Sequence, residues 1–217
     1  MRWMVIDGID CSGKTAICAA LEKHYQSQGL RAEVKSDFST SFVGKGIRKI
    51  VEQKRFFSLH PKWNTPIADM MVVLADVFCK YEVDIDPDID IVVTDRGMLS
   101  ALAHQVIRLY STVPEAKESD LADNLLNLVA SASRFCRWPD CHFVLKITRE
   151  LLETRLVTRD GTLPSPNQSD MLMSVQDRML AIGPHFRAID VLVDGKSVDE
   201  LMSLMVSALE RRTFGRR

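Results

Sequence analysis

Two rhythms of apolar residues alternate along the chain. Short β-rich runs recur at Trp3–Ile6, Leu30–Val34, Ile89–Thr94, His142–Ile147 and Ile189–Val193, and each predicts a strand. Between them the apolar spacing widens to that of a helix. Ile17, Ala20, Leu21 and Tyr25 mark one over Lys14–Gln28, closed by Gly29, and others are predicted at Gly44–Gln53, Met98–Tyr110, Asp120–Arg137, Arg149–Arg159 and Ser197–Arg212. Thr65–Tyr81 is apolar all round, which predicts a buried helix, with Pro66 in its first turn. Ile-Asp-Ile-Val-Val-Thr at 89–94 reads as a parallel strand covered on both faces, and it delivers Asp95-Arg96-Gly97 at its carboxyl end. Strand and helix in alternation predict an α/β fold: a doubly wound parallel sheet of about five strands with helices on both faces, in one domain over residues 1–217. Asp160–Ser169 departs from this grammar, with turn formers and no periodicity. It predicts a mobile surface loop, and the basic helix before it favours a lid near residues 155–169 over a plain linker.

Composition narrows the class. The 217 residues carry 28 Lys and Arg against 29 Asp and Glu, and 46% are hydrophobic. That argues against disorder and against bulk electrostatic attraction to nucleic acid or to a membrane surface. The strongest apolar stretch, Met70–Phe78, is too short to span a bilayer and contains Asp76. The first residues run directly into a motif at Gly8 with no signal-like series, so a cytoplasmic protein is expected. Cys11, Cys18, Cys79, Cys136 and Cys141 form an odd set without a C-x-x-C pair; reduced thiols, mostly small core residues, are expected. The tail Arg211–Arg217 is basic and reads as a frayed, solvated helix end rather than as a contact for nucleic acid or an acidic partner.

The strongest chemical signal is Gly8-Ile9-Asp10-Cys11-Ser12-Gly13-Lys14-Thr15, which fits G-x-x-x-x-G-K-[ST] between a predicted strand and a predicted helix. In that setting Gly8, Asp10, Cys11, Ser12 and Gly13 wrap backbone N–H groups around phosphate oxygens. Lys14 neutralises the β- and γ-phosphates of ATP, and the Thr15 hydroxyl faces Mg²⁺. No Asn/Thr-Lys-x-Asp segment is present to read guanine, so a GTP switch is not expected. A phosphotransferase needs a second anion site and cations that follow the moving charge. Arg96, with Arg155 and Arg159 at i,i+4 on one predicted helix, are the candidates; for the last two, a solvated face balanced by Glu150 and Glu153 is the alternative.

Taken together, Asp7–Thr15, Asp37–Arg48 and Thr94–Gln105 resemble the thymidylate kinase family nearly end to end. The resemblance implies that Asp10 approaches the sugar 3′-hydroxyl of an acceptor nucleotide and that Asp37 lies near the acceptor phosphate and metal. Asp95 would join Thr15 at Mg²⁺, Arg96 would clamp the acceptor phosphate, and Arg155 and Arg159 would act from a lid as in bacterial-type members. Phe38, Val73, Val77, Ser100, Ala101, His104 and Gln105 would surround the acceptor, and Lys196, in Asp194–Ser197, would lie beside the adenine of ATP. Homodimers are common in the family, and the apolar face of Thr65–Tyr81 would suit that interface.

The departures gather at the base. Where the family carries Phe-x-x-Asp-Arg this chain has Val73-Leu74-Ala75-Asp76-Val77; Gly97 replaces an aromatic residue after Asp-Arg, His104 a tyrosine and Phe38 a proline. Phe78 or Phe42 would offer a stacking face unless each is a core residue. His104 reads the sugar or base, or lies on an amphipathic helix. Cys11 is either a reactive thiol or an inert filler. The expectation is Mg·ATP-dependent phosphorylation of a nucleoside monophosphate, dTMP or a related pyrimidine deoxynucleotide. The alternatives are a deoxynucleoside kinase with Asp37 as base, and a non-catalytic nucleotide-binding module.

Overall fold

A computed structural model of the chain describes residues 1–54, 65–82, 86, 88–112 and 118–214. Five strands appear among them: β1 (Arg2–Gly8), β2 (Ala32–Lys35), β3 (Ile91–Asp95), β4 (Cys141–Lys146) and β5 (Ile189–Leu192). They form one parallel sheet in the order β2-β3-β1-β4-β5. β1 therefore lies at the centre, with Met4 paired to Val93 on one side and to Cys141 on the other. Helices cover the sheet, as its apolar strands require: Val5, Ile6, Val92, Val93, Phe143 and Val144 are all buried.

The helices among the described residues are α1 (Lys14–Ser27), α2 (Phe42–Lys54), α3 (Pro66–Glu82), α4 (Met98–Thr112), α5 (Glu118–Ala132), α6 (Arg149–Asp160), α7 (Pro166–Ile182) and α8 (Val198–Phe214). Their ends follow local chemistry. Thr148 caps α6 by accepting from the Leu151 N–H, and Gly161 stops it in the left-handed region at φ 72°. Ser197 and Glu200 form a reciprocal capping box at the start of α8.

Three expectations are corrected here. The stretch 160–169 is not one loop, because Ser165 caps α7 by accepting from the Gln168 N–H, with Pro166 in the first turn. Ser169 is fully buried, so the irregular part is only residues 161–165. The cue passed over was Leu172, Val175, Met179 and Ile182 at helical spacing, all buried. Nor is α3 buried all round: Ile67 and Met71 are 55% and 50% exposed, whereas the charged Asp69, Asp76 and Lys80 are buried. Finally, all five cysteines are free, but only Cys18 and Cys141 are buried. Phe42 is 87% exposed and so no core residue, whereas Phe78 packs partly against the core. Arg212 donates to the Arg187 carbonyl, and residues 215–217 of the basic tail lie outside the described residues.

Side-chain clamps join the layers under the site. The buried carboxylate of Asp7, on β1, accepts from the N–H groups of Gly97 (2.8 Å) and Ser100 (3.0 Å) and so caps α4. Gln176 on α7 brackets Ile147 beyond β4, accepting from its N–H and donating to its carbonyl. α3 and α4 run antiparallel, since Met98 N–H donates to the Tyr81 hydroxyl at one end and Arg108 pairs with Asp69 at the other.

Candidate active site

The glycine loop, Asp95 and Arg96 stand at the carboxyl ends of β1 and β3, where a doubly wound sheet opens its crevice. From β1 the chain enters the glycine loop. Cys11 (φ 61°) and Gly13 (φ 99°) both take left-handed backbone, and Gly13 turns directly into α1. Such a succession of turns aims N–H groups at one point near a helix N-terminus, a ready anion cradle. Lys14 is buried and donates to the Ile9 carbonyl at 2.8 Å. Burial, and then the neighbouring Arg96, lower its pKa to about 8 against the pull of Asp95, Asp10 and Asp37.

From β3 come Asp95 and Arg96. The Thr15 hydroxyl donates to Asp95 Oδ2 at 3.0 Å, while Asp95 Oδ1 is buried without a hydrogen-bond partner among the described residues. An orphaned carboxylate oxygen beside a hydroxyl is a donor set for a hard cation such as Mg²⁺. Arg96 sits at φ 63°, its N–H held by the Ile6 carbonyl at 3.0 Å. Its guanidinium meets Asp37 Oδ1 at 2.9 Å through Nε and Asp10 Oδ1 through Nη2. Burial pushes the Asp10 carboxyl up, but Arg96, Lys14 and His104 outweigh it and hold it low; in Asp37 burial prevails over Arg96 and raises it. Gly97 is glycine for a local reason, since a Cβ there would lie 2.4 Å from Val5 Cγ1 and 2.9 Å from the Tyr81 hydroxyl. The sheet leaves no room for an aromatic side chain at this position.

The remaining positions lie on α3, α4 and the loop after β2. Val73 and Val77 of α3 run opposite Ala101 and Gln105 of α4, by the antiparallel register of the two helices. Val77 and Ala101 are buried, and Gln105 is buried with its Oε1 unpartnered among the described residues. His104 lies near Arg96, Asp10 and Lys14; burial and then Arg96 lower its pKa to about 4, so it is a neutral imidazole. Ser100 turns away, its hydroxyl directed to Met179 Sδ on α7. Phe38 contributes its carbonyl, which accepts from Arg48.

On the other side of β1, a cavity of about 280 Å³ opens between the glycine loop and the β5–α8 turn. Ile17, Val193 and Leu201 give it apolar walls, and Gly13, Arg155 and Lys196 its polar edge. Arg155 Nη1 donates to the Cys11 carbonyl at 2.9 Å. Arg159 does not join it; its guanidinium pairs with Asp160 at 2.7 Å, at the exposed end of α6. The two arginines thus have different partners although they sit one turn apart.

Sequence reasoning missed Lys80, buried in α3, whose amine reaches the carbonyls of Asp37 and Arg96. It also gave no role to Asp76, which accepts from Ser39 in the loop after β2. The signal was available as an acid and a base spaced i,i+4 within an otherwise apolar helix.

Residues 6–202 match the family model described as thymidylate kinase. A curated thymidylate kinase of Sulfurimonas denitrificans is 24% identical over 201 residues, covering 92% of this chain and 94% of that protein. Among solved structures, a thymidylate kinase from Candida albicans, described as having broad substrate specificity, superposes with a TM-score of 0.69 at 16% identity. That superposition covers 98% of this chain and 92% of the other, and it supports the fold.

Proposed function

The chain belongs to the thymidylate kinase family of phosphotransferases, and on that premise we propose that it transfers the γ-phosphoryl of Mg·ATP to the phosphate of a pyrimidine deoxynucleoside monophosphate, dTMP or a close relative. The observation that carries this reading is the pairing of Arg96 with both Asp10 and Asp37 beside the glycine loop. It supplies a guanidinium fork for an acceptor phosphate next to a cradle for the donor's phosphates.

Catalysis then rests on placement and charge. The loop amides of residues 10–14 and the Lys14 ammonium hold the donor phosphates. Thr15 and Asp95 are the residues that would hold Mg²⁺, which supplies neutralisation of phosphate oxygens when bound. Arg96 orients the acceptor phosphate, and the Asp10 carboxylate is free to receive a sugar hydroxyl once the guanidinium turns to phosphate. Arg155, already seated on the loop at the Cys11 carbonyl, stands ready to meet charge that develops during transfer. The cavity beside Lys196 takes the adenine. Val73, Val77, Ala101, His104 and Gln105 line the base side, and among these the Gln105 amide and the neutral His104 offer polar contact. Residues 155–169 act as the lid that excludes water. The exposed Ile67 and Met71 of α3 supply a face for a homodimer, and the reaction belongs to the cytoplasm.

Purified protein incubated with Mg·ATP and a panel of nucleosides and nucleoside monophosphates, followed by ADP release, tests the proposal. Release with a pyrimidine deoxynucleoside monophosphate is expected. Release with an unphosphorylated nucleoside alone would transfer the role of Asp37 to general base. No release with any acceptor, alongside thermal stabilisation by ATP, would mean a binding module.

A further inference from the structure

We propose that Lys80 is a positioning residue for the acceptor half of the site: its ammonium ties the backbone at Asp37 to the backbone at Arg96 and so fixes the guanidinium–carboxylate pair that meets the acceptor. The proposal rests on the reading of Arg96 given above and assigns a task to a residue that touches neither substrate.

Lys80 is 2% exposed, in the last turn of α3. A lysine amine left there without partners would be costly, so its bonds matter. It has two, to the Asp37 carbonyl at 2.6 Å and to the Arg96 carbonyl at 3.0 Å. Burial lowers its pKa, while Asp37, Asp76, Asp7 and Asp95 oppose that shift. The choice of partners is the telling point, because the two residues it grips by the backbone grip each other by the side chain, Arg96 Nε to Asp37 Oδ1 at 2.9 Å. The result is a closed ring: the amine, the loop after β2, the Asp37–Arg96 ion pair and the turn after β3.

Two further features show why such a ring is needed. Arg96 has left-handed backbone, φ 63°, which a non-glycine residue keeps only where its surroundings over-determine it. Its N–H is pinned to the Ile6 carbonyl and its carbonyl to Lys80, so both peptide groups flanking Cα are held. The Asp37 loop likewise has two anchors on α3, since Asp76, one turn before Lys80, accepts from the Ser39 N–H and hydroxyl. α3 thus serves as the ruler against which Asp37 and Arg96 are set, with Lys80 as its contact point.

Lys80→Met, which keeps length and removes every donor, tests this, with Lys80→Gln as a second variant that retains one donor. Two readouts separate the failure modes. Amide hydrogen exchange at Arg96 is independent of any acceptor, and in Lys80→Met it should accelerate about tenfold or more while Val5 in β1 and Ile17 in α1 stay within about twofold. Steady-state kinetics should show the acceptor KM rising about tenfold with the ATP KM within about twofold. Unchanged exchange at Arg96, equal acceleration at all three amides, or an equal rise in both KM values would overturn the proposal, as would failure of both variants to fold. Wild-type protein that turns over no monophosphate would instead sink the acceptor reading and leave the exchange result to stand by itself.

Discussion

Replacing His142 by phenylalanine should make the protein more stable and less sensitive to acid. His142, on β4 opposite Val5, is 1% exposed, with Trp138 and Phe186 at ring-centroid distances of 5.9 and 5.7 Å. Neither ring nitrogen has a hydrogen-bond partner among the described residues. A buried polar group left unpaired costs about 1–3 kcal/mol. Burial lowers the pKa of His142 from 6.5 to about 4, with Asp7 pulling it up and Arg212 pushing it down. The sign follows from proton counting. Between these values the unfolded chain binds more protons than the folded one, so stability present above about pH 6.5 is lost as pH falls towards about 4. Such a depression corresponds to at most about 3 kcal/mol, and His104, lowered to about 4 by burial and Arg96, adds a loss of the same sign. A phenyl ring suits a slot already shaped for a flat ring and has nothing to desolvate or protonate. His142→Phe should therefore gain about 1–2 kcal/mol at pH 7, and the histidine part of the acid loss should fall by about half. Urea unfolding followed by far-ultraviolet circular dichroism, in steps from pH 7 to pH 4, measures both. Destabilisation at pH 7, or an unaltered slope between pH 6.5 and 4, would refute the reasoning.

Three further outcomes are expected. Arg96→Ala removes a charge-assisted fork and should lower kcat/KM for the acceptor about a hundredfold or more with little effect on ATP binding; unchanged kinetics would remove Arg96 from the site. Because Arg155 is seated on the glycine loop while Arg159 is held by Asp160, Arg155→Ala should account for most of the turnover lost in the double variant, and a double variant with full turnover would end the lid mechanism. Lys14, with a pKa near 8, must be charged to hold phosphate, so ATP binding at pH 8.5 should take up about three quarters of a proton from solution. Calorimetry in two buffers of different ionisation enthalpy reads this uptake, which should vanish in Lys14→Met.

Much of the fold is written in local pattern. Short apolar runs rich in β-branched residues identify all five strands, and only their ends move, as when β2 starts at Ala32 rather than Leu30. α7 was hidden because its first turn is built from Ser165, Pro166 and Asn167, residues that mark turns as readily as helix starts. The glycine loop was legible because phosphate chemistry needs fixed spacing within one stretch of chain, whereas Asp95 and Arg96, far along the chain, stood out at the end of a β-branched run and took their roles from the family resemblance. Lys80 was not legible, because its partners lie 43 and 16 residues away and only the fold brings them together. The divergence of Arg155 from Arg159 was equally invisible, since helical spacing gives a shared face but not the partner each side chain finds. Gly97 is the converse case: an apparent loss on the substrate side, explained by Val5 and Tyr81 pressing from below.

The central place of β1 divides the sheet into two arms. On the proposed reading, the glycine loop and the adenine cavity hang from β1 and β5 and most of the acceptor side from β3 and the helices around it, with Asp95 and Asp10 crossing that line. The side chains of Val73 and Val77 take no part in the hydrogen bonds by which Asp7, Tyr81 and Lys80 tie α3 and α4 to the strand ends, so substitution there alters the base side of the cleft and leaves the glycine loop's supports in place. The departures at 73 and 77 thus fall on the helix set against the proposed acceptor and leave the glycine loop intact.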